Sequence, residues 1–189
     1  MDADFSIELG REDPVLDFPW ADPGGKLRYF GLKRHPALIA KVEEAEKFPE
    51  LADFLRKVNS TRSVVESAKC DVWETTELSA EEEIFNASHK FASYVDLVFS
   101  DIAPRRSLPL HESFAQRLTE LLRRAPEIGA SVEVCVRRCF FGDAGEICEG
   151  FYLTLYVSGY GEDEAVARKS WAIATKLVES AILQLPALG

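Results

Sequence analysis

The chain has 189 residues, 47% of them hydrophobic and 11% aromatic, with a formal charge of −10 at neutral pH. That length and apolar content supply a core that buries roughly 70% of the unfolded surface, without disulfide or metal staples. The acidic balance argues against non-specific binding to phosphate backbones or anionic lipid, both of which need a basic surface. The acid-rich start Met1-Asp2-Ala3-Asp4, with no hydrophobic run behind it, does not read as a secretion or transit signal. The longest apolar stretch, Trp171 to Leu185, is shorter than a membrane span and carries Lys176 and Glu179. A cytoplasmic location follows as the expectation, with the four cysteines reduced.

Residues 1–189 read as one α+β domain, with an extended, aromatic-rich arm over 1–35 and the core over 36–189. In the arm, Pro14, Pro19, Pro23, Gly24 and Gly25 alternate with Phe5, Leu16, Phe18, Trp20, Tyr29 and Phe30. Prolines and paired glycines break periodicity, yet aromatics at this density belong out of water. The arm is therefore expected to pack across the domain, with short strands near Ser6–Leu9 and Leu27–Phe30.

A helical period starts at Pro36, with Leu38, Ile39, Val42 and Ala45 as its stripe. After Pro49 a second stretch carries Leu51, Phe54, Leu55 and Val58. Ala68, Cys70 and Val72 then alternate with Lys69, Asp71 and Trp73 as a strand, and Ser79 with Glu82 has capping-box spacing. Over 91–101, Val95, Leu97 and Phe99 oppose Tyr94, Asp96 and Val98, a second strand. A helix over 109–124, strands over 131–141 and 147–158, and a helix from about Asp163 to Leu185 complete the pattern.

The hairpin at 131–158 carries the strongest constraint. Val132, Val134 and Val136 are even-numbered, whereas Phe151, Leu153 and Leu155 are odd. Both sets reach one core only if even residues pair with odd ones, because a one-residue slip turns every side chain over. A turn centred on Asp143–Ala144 pairs Val132 with Leu155, Val134 with Leu153, Val136 with Phe151, Phe140 with Ile147, and Arg138 with Glu149. It also places Cys139 opposite Cys148.

Residues 94–101 (YVDLVFSD) and 152–159 (YLTLYVSG) are similar, and each follows a strand and precedes a helix, which suggests an internal β-β-α duplication. The expected fold is α+β: a mainly antiparallel sheet of four to six strands, helices packed on one face, in the order α-β-β-α-β-β-α. In element order alone this resembles the type III secretion chaperone-like fold.

The sequence contains no phosphate-cradling glycine loop, dinucleotide fingerprint, zinc-protease helix or nucleophile elbow. Cys135 lies about 13 Å along its strand from Cys139, too far for one tetrahedral zinc, and only His89 offers itself as a further ligand. The cysteines are read as small buried residues, and neither metal nor cofactor is expected. Between 103 and 140, seven arginines face four acids, a local +3 within a chain that is otherwise −13. An anion-binding patch is one reading; arginines solvated or paired with the surplus acids are the favoured one.

The sheet face away from the helices is expected to carry Lys69, Asp71, Trp73, Tyr94, Asp96, Glu133, Cys135, Arg137, Tyr152, Thr154 and Tyr156. Aromatics with polar tips among charges suit an interface. The expected function is a non-catalytic protein-interaction module, homodimeric or bound to another protein, with Trp73, Tyr94, Asp96, Arg137, Tyr152, Thr154 and Tyr156 as the contact face. The alternative is a small-ligand site or enzyme pocket on that face, formed by Arg137, Tyr152, Tyr156 and Asp96, with a cysteine as a further candidate member. Neither nucleic acid nor membrane is expected as a partner. The arm itself is a further candidate to cover the face.

Overall fold

The computed structural model describes residues 1–185, with side chains at all of them but 81, 83 and 84. Six strands form one mixed sheet: β1 (Asp2–Glu8), β2 (Leu16–Phe18), β3 (Val65–Thr75), β4 (His89–Phe99), β5 (Ala130–Asp143) and β6 (Glu146–Gly161). The spatial order is β1-β5-β6-β4-β3, with β2 following β1 along the edge of β5. The helices are α1 (Glu43–Lys47), α2 (Pro49–Val58), α3 (Ile102–Arg105), α4 (Leu108–Arg123) and α5 (Glu164–Gln184). Short 3₁₀ turns occupy Pro36–Lys41 and Ala80–Phe85. None of the helices among the described residues is long and apolar enough to cross a membrane.

One face of the sheet is dry. Val132, Val134 and Val136 of β5 and Leu153, Leu155 and Val157 of β6 are buried in a single core with Val95, Leu97 and Phe99 of β4. Helices α2, α4 and α5 close over them through Phe54, Phe114, Leu118, Trp171 and Val178. Asp163 caps α5 by accepting the Val166 amide at 2.8 Å, which fixes where the helix starts. The helix lies so close to β6 that a Cβ on Gly159 would meet the Trp171 backbone nitrogen at 2.1 Å. No larger residue fits there without moving α5.

Both free edges of the sheet are blunted by side chains. On β1, Asp4 accepts the Phe5 amide and Arg123 donates to the Ala3 carbonyl. On β3, Lys33 donates to the Ser63 and Val65 carbonyls, Asn59 accepts the Ser67 amide, Trp20 donates to the Ala68 carbonyl and Asp71 accepts the Val72 amide. Occupied edge groups give another strand little to pair with.

Three expectations need correction. The arm does not merely lie across the domain. Its first residues alternate Ala3, Phe5 and Ile7 with Asp2, Asp4, Ser6 and Glu8 and run parallel to β5, so the sheet is mixed. Leu27–Phe30 is not a strand and contributes only an isolated bridge between Ala21 and Arg28. The β5–β6 hairpin keeps the even-with-odd rule but slips by two residues: Val132 pairs with Val157, Val134 with Leu155 and Val136 with Leu153. The turn lies at Ala144–Gly145, where φ is +51° and +87°, a left-handed pair that matches strand twist better than a bend one residue earlier. Cys139 consequently faces Gly150, and Cys148 faces Phe141.

The rest of the arm covers one end of the second sheet face. Leu16, Phe18, Trp20 and Tyr29 pack on Ala68, Val98, Cys139, Phe141 and Tyr152. A buried ion pair clamps them. Arg105, 7% exposed, donates to Glu66 at 2.8 Å and to the Phe99 carbonyl, with its guanidinium 4.8 Å above the Phe18 ring. Glu66 also accepts the Tyr29 hydroxyl at 2.8 Å. Removing one partner of such a pair strands the other charge, so Arg105→Ala should cost about 3–5 kcal/mol in urea unfolding. The double change Arg105→Met with Glu66→Leu should recover most of that; a cost below about 1 kcal/mol for Arg105→Ala would remove the clamp from the account.

Candidate interaction face

The strand pairings lay out the second face as rows running across the sheet. One row is Asp71 (β3), Tyr94 (β4), Tyr156 (β6), Glu133 (β5) and Asp4 (β1). The row beside it toward the arm is Lys69, Asp96, Thr154, Cys135 and Ser6; on the other side run Trp73, Ala92, Ser158, Ser131 and Asp2. Every residue nominated for this face from sequence alternation therefore points to it.

They do not share one fate. Asp96, Arg137, Tyr152 and Thr154 are buried and make the floor of the face; the first two are joined through Thr154, and Tyr152 packs in the second apolar cluster. Thr154 donates to Asp96 at 2.7 Å and accepts from Arg137 at 3.0 Å. Arg137 also donates to Glu8, through Nε and one terminal nitrogen, and to the Tyr156 hydroxyl. Burial opposes the Arg137 charge, but the bonds to Tyr156 and Glu8 outweigh it and hold its pKa above the ordinary value. Trp73, Tyr94 and Tyr156 remain half-exposed, with Trp73 and Tyr94 centroids 6.4 Å apart and Tyr94 and Tyr156 6.2 Å apart.

Two adjoining hollows lie beside these rings. The larger, of about 430 Å³, sits between β1 and the turn at 79–85 and is lined by Asp2, Asp4, Ser6, Glu82, Lys90 and Glu133, among others. The smaller, of about 260 Å³, reaches Trp73, Tyr156, Ser158 and Tyr160. Phe85 stacks on Tyr160 at 4.0 Å and walls the trough. Sequence reasoning missed Asp2, Asp4, Glu8, Glu82, Lys90 and Tyr160. The strict alternation in Asp2–Glu8 was the available signal for the first three.

The charge of the trough is negative. Seven carboxylates point to the face (Asp2, Asp4, Glu8, Asp71, Glu82, Asp96 and Glu133) against Lys69, Lys90 and Arg137. Lys90 is held by Glu82 and Arg137 by Glu8. Asp2, Asp71 and Glu133 are exposed and form no ion pair among the described residues. The local excess of arginine seen in the sequence does not gather into an anion site: Arg105, Arg106, Arg123, Arg137 and Arg138 are paired with Glu66, Asp143, Asp4, Glu8 and Glu149.

The donor atoms of Glu8, Glu133 and Cys135 lie within 4.8 Å of one another. A metal does not suit them. Arg137 already holds Glu8, and burial pushes the Cys135 thiol up to about 12, so an ion there would have to displace both that pairing and the thiol proton. Cys139 and Cys148 belong to the second apolar cluster, and burial lifts the Cys139 thiol to about 12 as well. His89 starts β4 opposite Gly161, at the far end of the sheet from both.

Another hollow of about 260 Å³ lies beside the β3 edge, under Trp20, Leu27, Phe30 and Val42, with Cys70 in its wall. Its rim mixes Arg28, Lys41 and Lys69 with Glu43, Glu44 and Asp71, so it favours neither sign of charge.

The chain finds no match among protein-family models, curated proteins or solved structures. The function must therefore be argued from the face itself.

Burial raises the Asp96 carboxyl from 3.8 to about 6, against the bond from Thr154 and the nearby Lys69 and Arg137 charges. Between those two values the folded chain holds the proton that the unfolded chain has lost. This group's contribution to stability is thus largest at acid pH and falls as pH rises toward 6. Compared with wild type by urea unfolding, Asp96→Asn should gain relative stability by up to about 3 kcal/mol between pH 4 and pH 7. A difference that does not change with pH would contradict the buried, reluctantly ionised carboxyl.

Proposed function

We propose that the chain is a non-catalytic interaction module, and that its partner lies on the open part of the second sheet face. The observation that carries this reading is a half-exposed aromatic row, Trp73, Tyr94 and Tyr156, above a polar floor in which Asp96, Thr154 and Arg137 are bonded to one another and to Glu8. Such rings supply much contact area at little entropic cost and dominate interfaces where they cluster. The floor leaves little for chemistry. Four of Arg137's five N–H donors are spent on Glu8, Thr154 and Tyr156, Asp96 is sealed beneath Thr154, and burial holds the Cys135 thiol protonated. These same facts weigh against a small-ligand or enzyme pocket on Arg137, Tyr152, Tyr156 and Asp96.

The acidic rim favours a partner other than nucleic acid or an anionic membrane. It also weighs against a second copy of the chain, because a two-fold stack through this face brings two surfaces with the same excess of carboxylates together. Homodimerisation is then expected only where salt or acid weakens that repulsion, and light scattering at low ionic strength should return the mass of one chain. A dimer that persists in low salt and is broken by Tyr94→Ala would reverse the choice of partner. In the same reading, β3-β4-α4 and β5-β6-α5 are tandem copies that meet through antiparallel β4 and β6, and the module works in the cytoplasm.

Selection of random peptides on the immobilised protein tests the face. Selected binders should weaken about 30-fold with Trp73→Ala or Tyr94→Ala, the loss of an interfacial aromatic worth about 2 kcal/mol. They should be indifferent to Arg117→Ala on α4. Binders insensitive to both aromatic changes would place the interaction surface elsewhere.

A further inference from the structure

The proposed interaction face has a charge and a row spacing that define its occupant, and the inference here rests on that reading. We propose that the trough receives an extended protein segment carrying two basic side chains about four residues apart, lysine or arginine, with small or apolar residues between them.

The charges argue first. Three exposed carboxylates (Asp2, Asp71 and Glu133) have no cation of their own among the described residues, and Glu133 sits with its carboxylate within 4.8 Å of the Glu8 carboxylate. Arg137 already holds Glu8, so the charge left without a partner is that of Glu133, and an incoming cation stabilises it. The Tyr94 hydroxyl feels the same field: its pKa is raised by burial first, then by the Asp96 and Asp71 charges.

The rings argue second. Cations already lie over aromatic faces around this sheet surface: Lys90 is 6.0 Å from the Tyr160 centroid and Arg137 is 5.6 Å from that of Tyr156. Trp73, the strongest cation acceptor among the side chains here, has no cation over its ring among the described residues; Lys69, on the same face of β3, lies over Trp20 instead. Trp73 lines the smaller hollow together with Glu133 and Tyr156. A cation entering there meets a ring and a carboxylate at once.

Spacing argues third. Glu133 on β5 and Asp71 on β3 are the unpaired carboxylates of one row, separated by β6 and β4, and Asp4 beyond Glu133 is already paired with Arg123. Three inter-strand steps of about 4.8 Å make roughly 14 Å, and four residues of extended chain at about 3.4 Å cover the same distance. A segment lying along the row thus places one basic side chain at each of these two carboxylates and its middle on Tyr94 and Tyr156. The blunted sheet edges leave this face, rather than strand addition, as the route for an extended partner.

The test uses the full chain and the end-blocked peptide Gly-Lys-Thr-Val-Thr-Lys-Gly, followed through the tryptophan indole N–H signals by NMR, with Trp73 assigned by Trp73→Phe. The expected result is a saturable shift of the Trp73 signal while that of buried Trp171 stays in place and so reports an intact core. Raising the salt from about 0.01 to about 0.15 M should weaken binding about tenfold. Glu133→Gln with Asp71→Asn should do likewise, and so should Tyr94→Leu, which alters no charge. Glu120→Gln with Glu127→Gln, the same charge change placed off the face, should leave the affinity as it was. The inference is overturned if Trp73 does not respond at millimolar peptide, if the off-face pair weakens binding as much as the face pair, or if a peptide with glutamates for lysines shifts Trp73 equally. The last outcome leaves the face as an interaction surface and removes only its preference for cations. Selected peptides that ignore Trp73 and Tyr94 remove the face itself.

Discussion

The pleat of the sheet is the constraint on which everything else depends. Successive side chains on a strand point to opposite sides, so one choice of phase in each strand assigns every residue to the oily layer or to the other surface. In β4, β5 and β6 the phases agree: Val95, Val134 and Leu155 enter one core, while Tyr94, Glu133 and Tyr156 line up on the reverse. Cross-strand pairs then bring those reverse-side residues into rows, and the rows create a surface that no single strand encodes.

That second surface is divided in two by the arm. Near β2 it is sealed by Phe18, Trp20 and Tyr29 over the Arg105–Glu66 pair, which leaves a small second core. Toward the start of β1 the arm contributes backbone and acids instead, and the face stays open. The buried pair is costly to assemble from water, and its use here is positional: it fixes where the arm's cover ends. The open remainder is what a partner meets, an aromatic row with carboxylates at its ends and a satisfied polar floor beneath.

Much of this was legible from residues alone. Alternation through Val95–Phe99, Val132–Val136 and Leu153–Leu155 identified both faces, and Asp163 marked the start of α5. The hairpin register was off by two because paired glycines at 142 and 145 suggest a bend midway between them, whereas the chain accepts a left-handed Ala144 beside Gly145. Part of β1 is expected near Ser6–Leu9, but its neighbour is not readable: β5 is more than a hundred residues away, and the alternation of Ala3, Phe5 and Ile7 with acids marks a strand without naming its partner. The trough's acidic wall was lost with it. Which arginines pair with which acids lies beyond pattern reading, because those contacts join segments far apart in the chain, as Arg137 with Glu8 shows.

The division into a dry face and an open one is tested most directly by hydroxyl-radical footprinting of the native protein, read residue by residue by mass spectrometry. Trp73 and Tyr94 should be oxidised readily, while Trp171 and Phe114, both at 0% exposure, should be protected until the chain unfolds. Equal protection of Trp73 and Trp171 would mean that both sides of the sheet are covered, and the account of an open acidic-aromatic surface would be wrong.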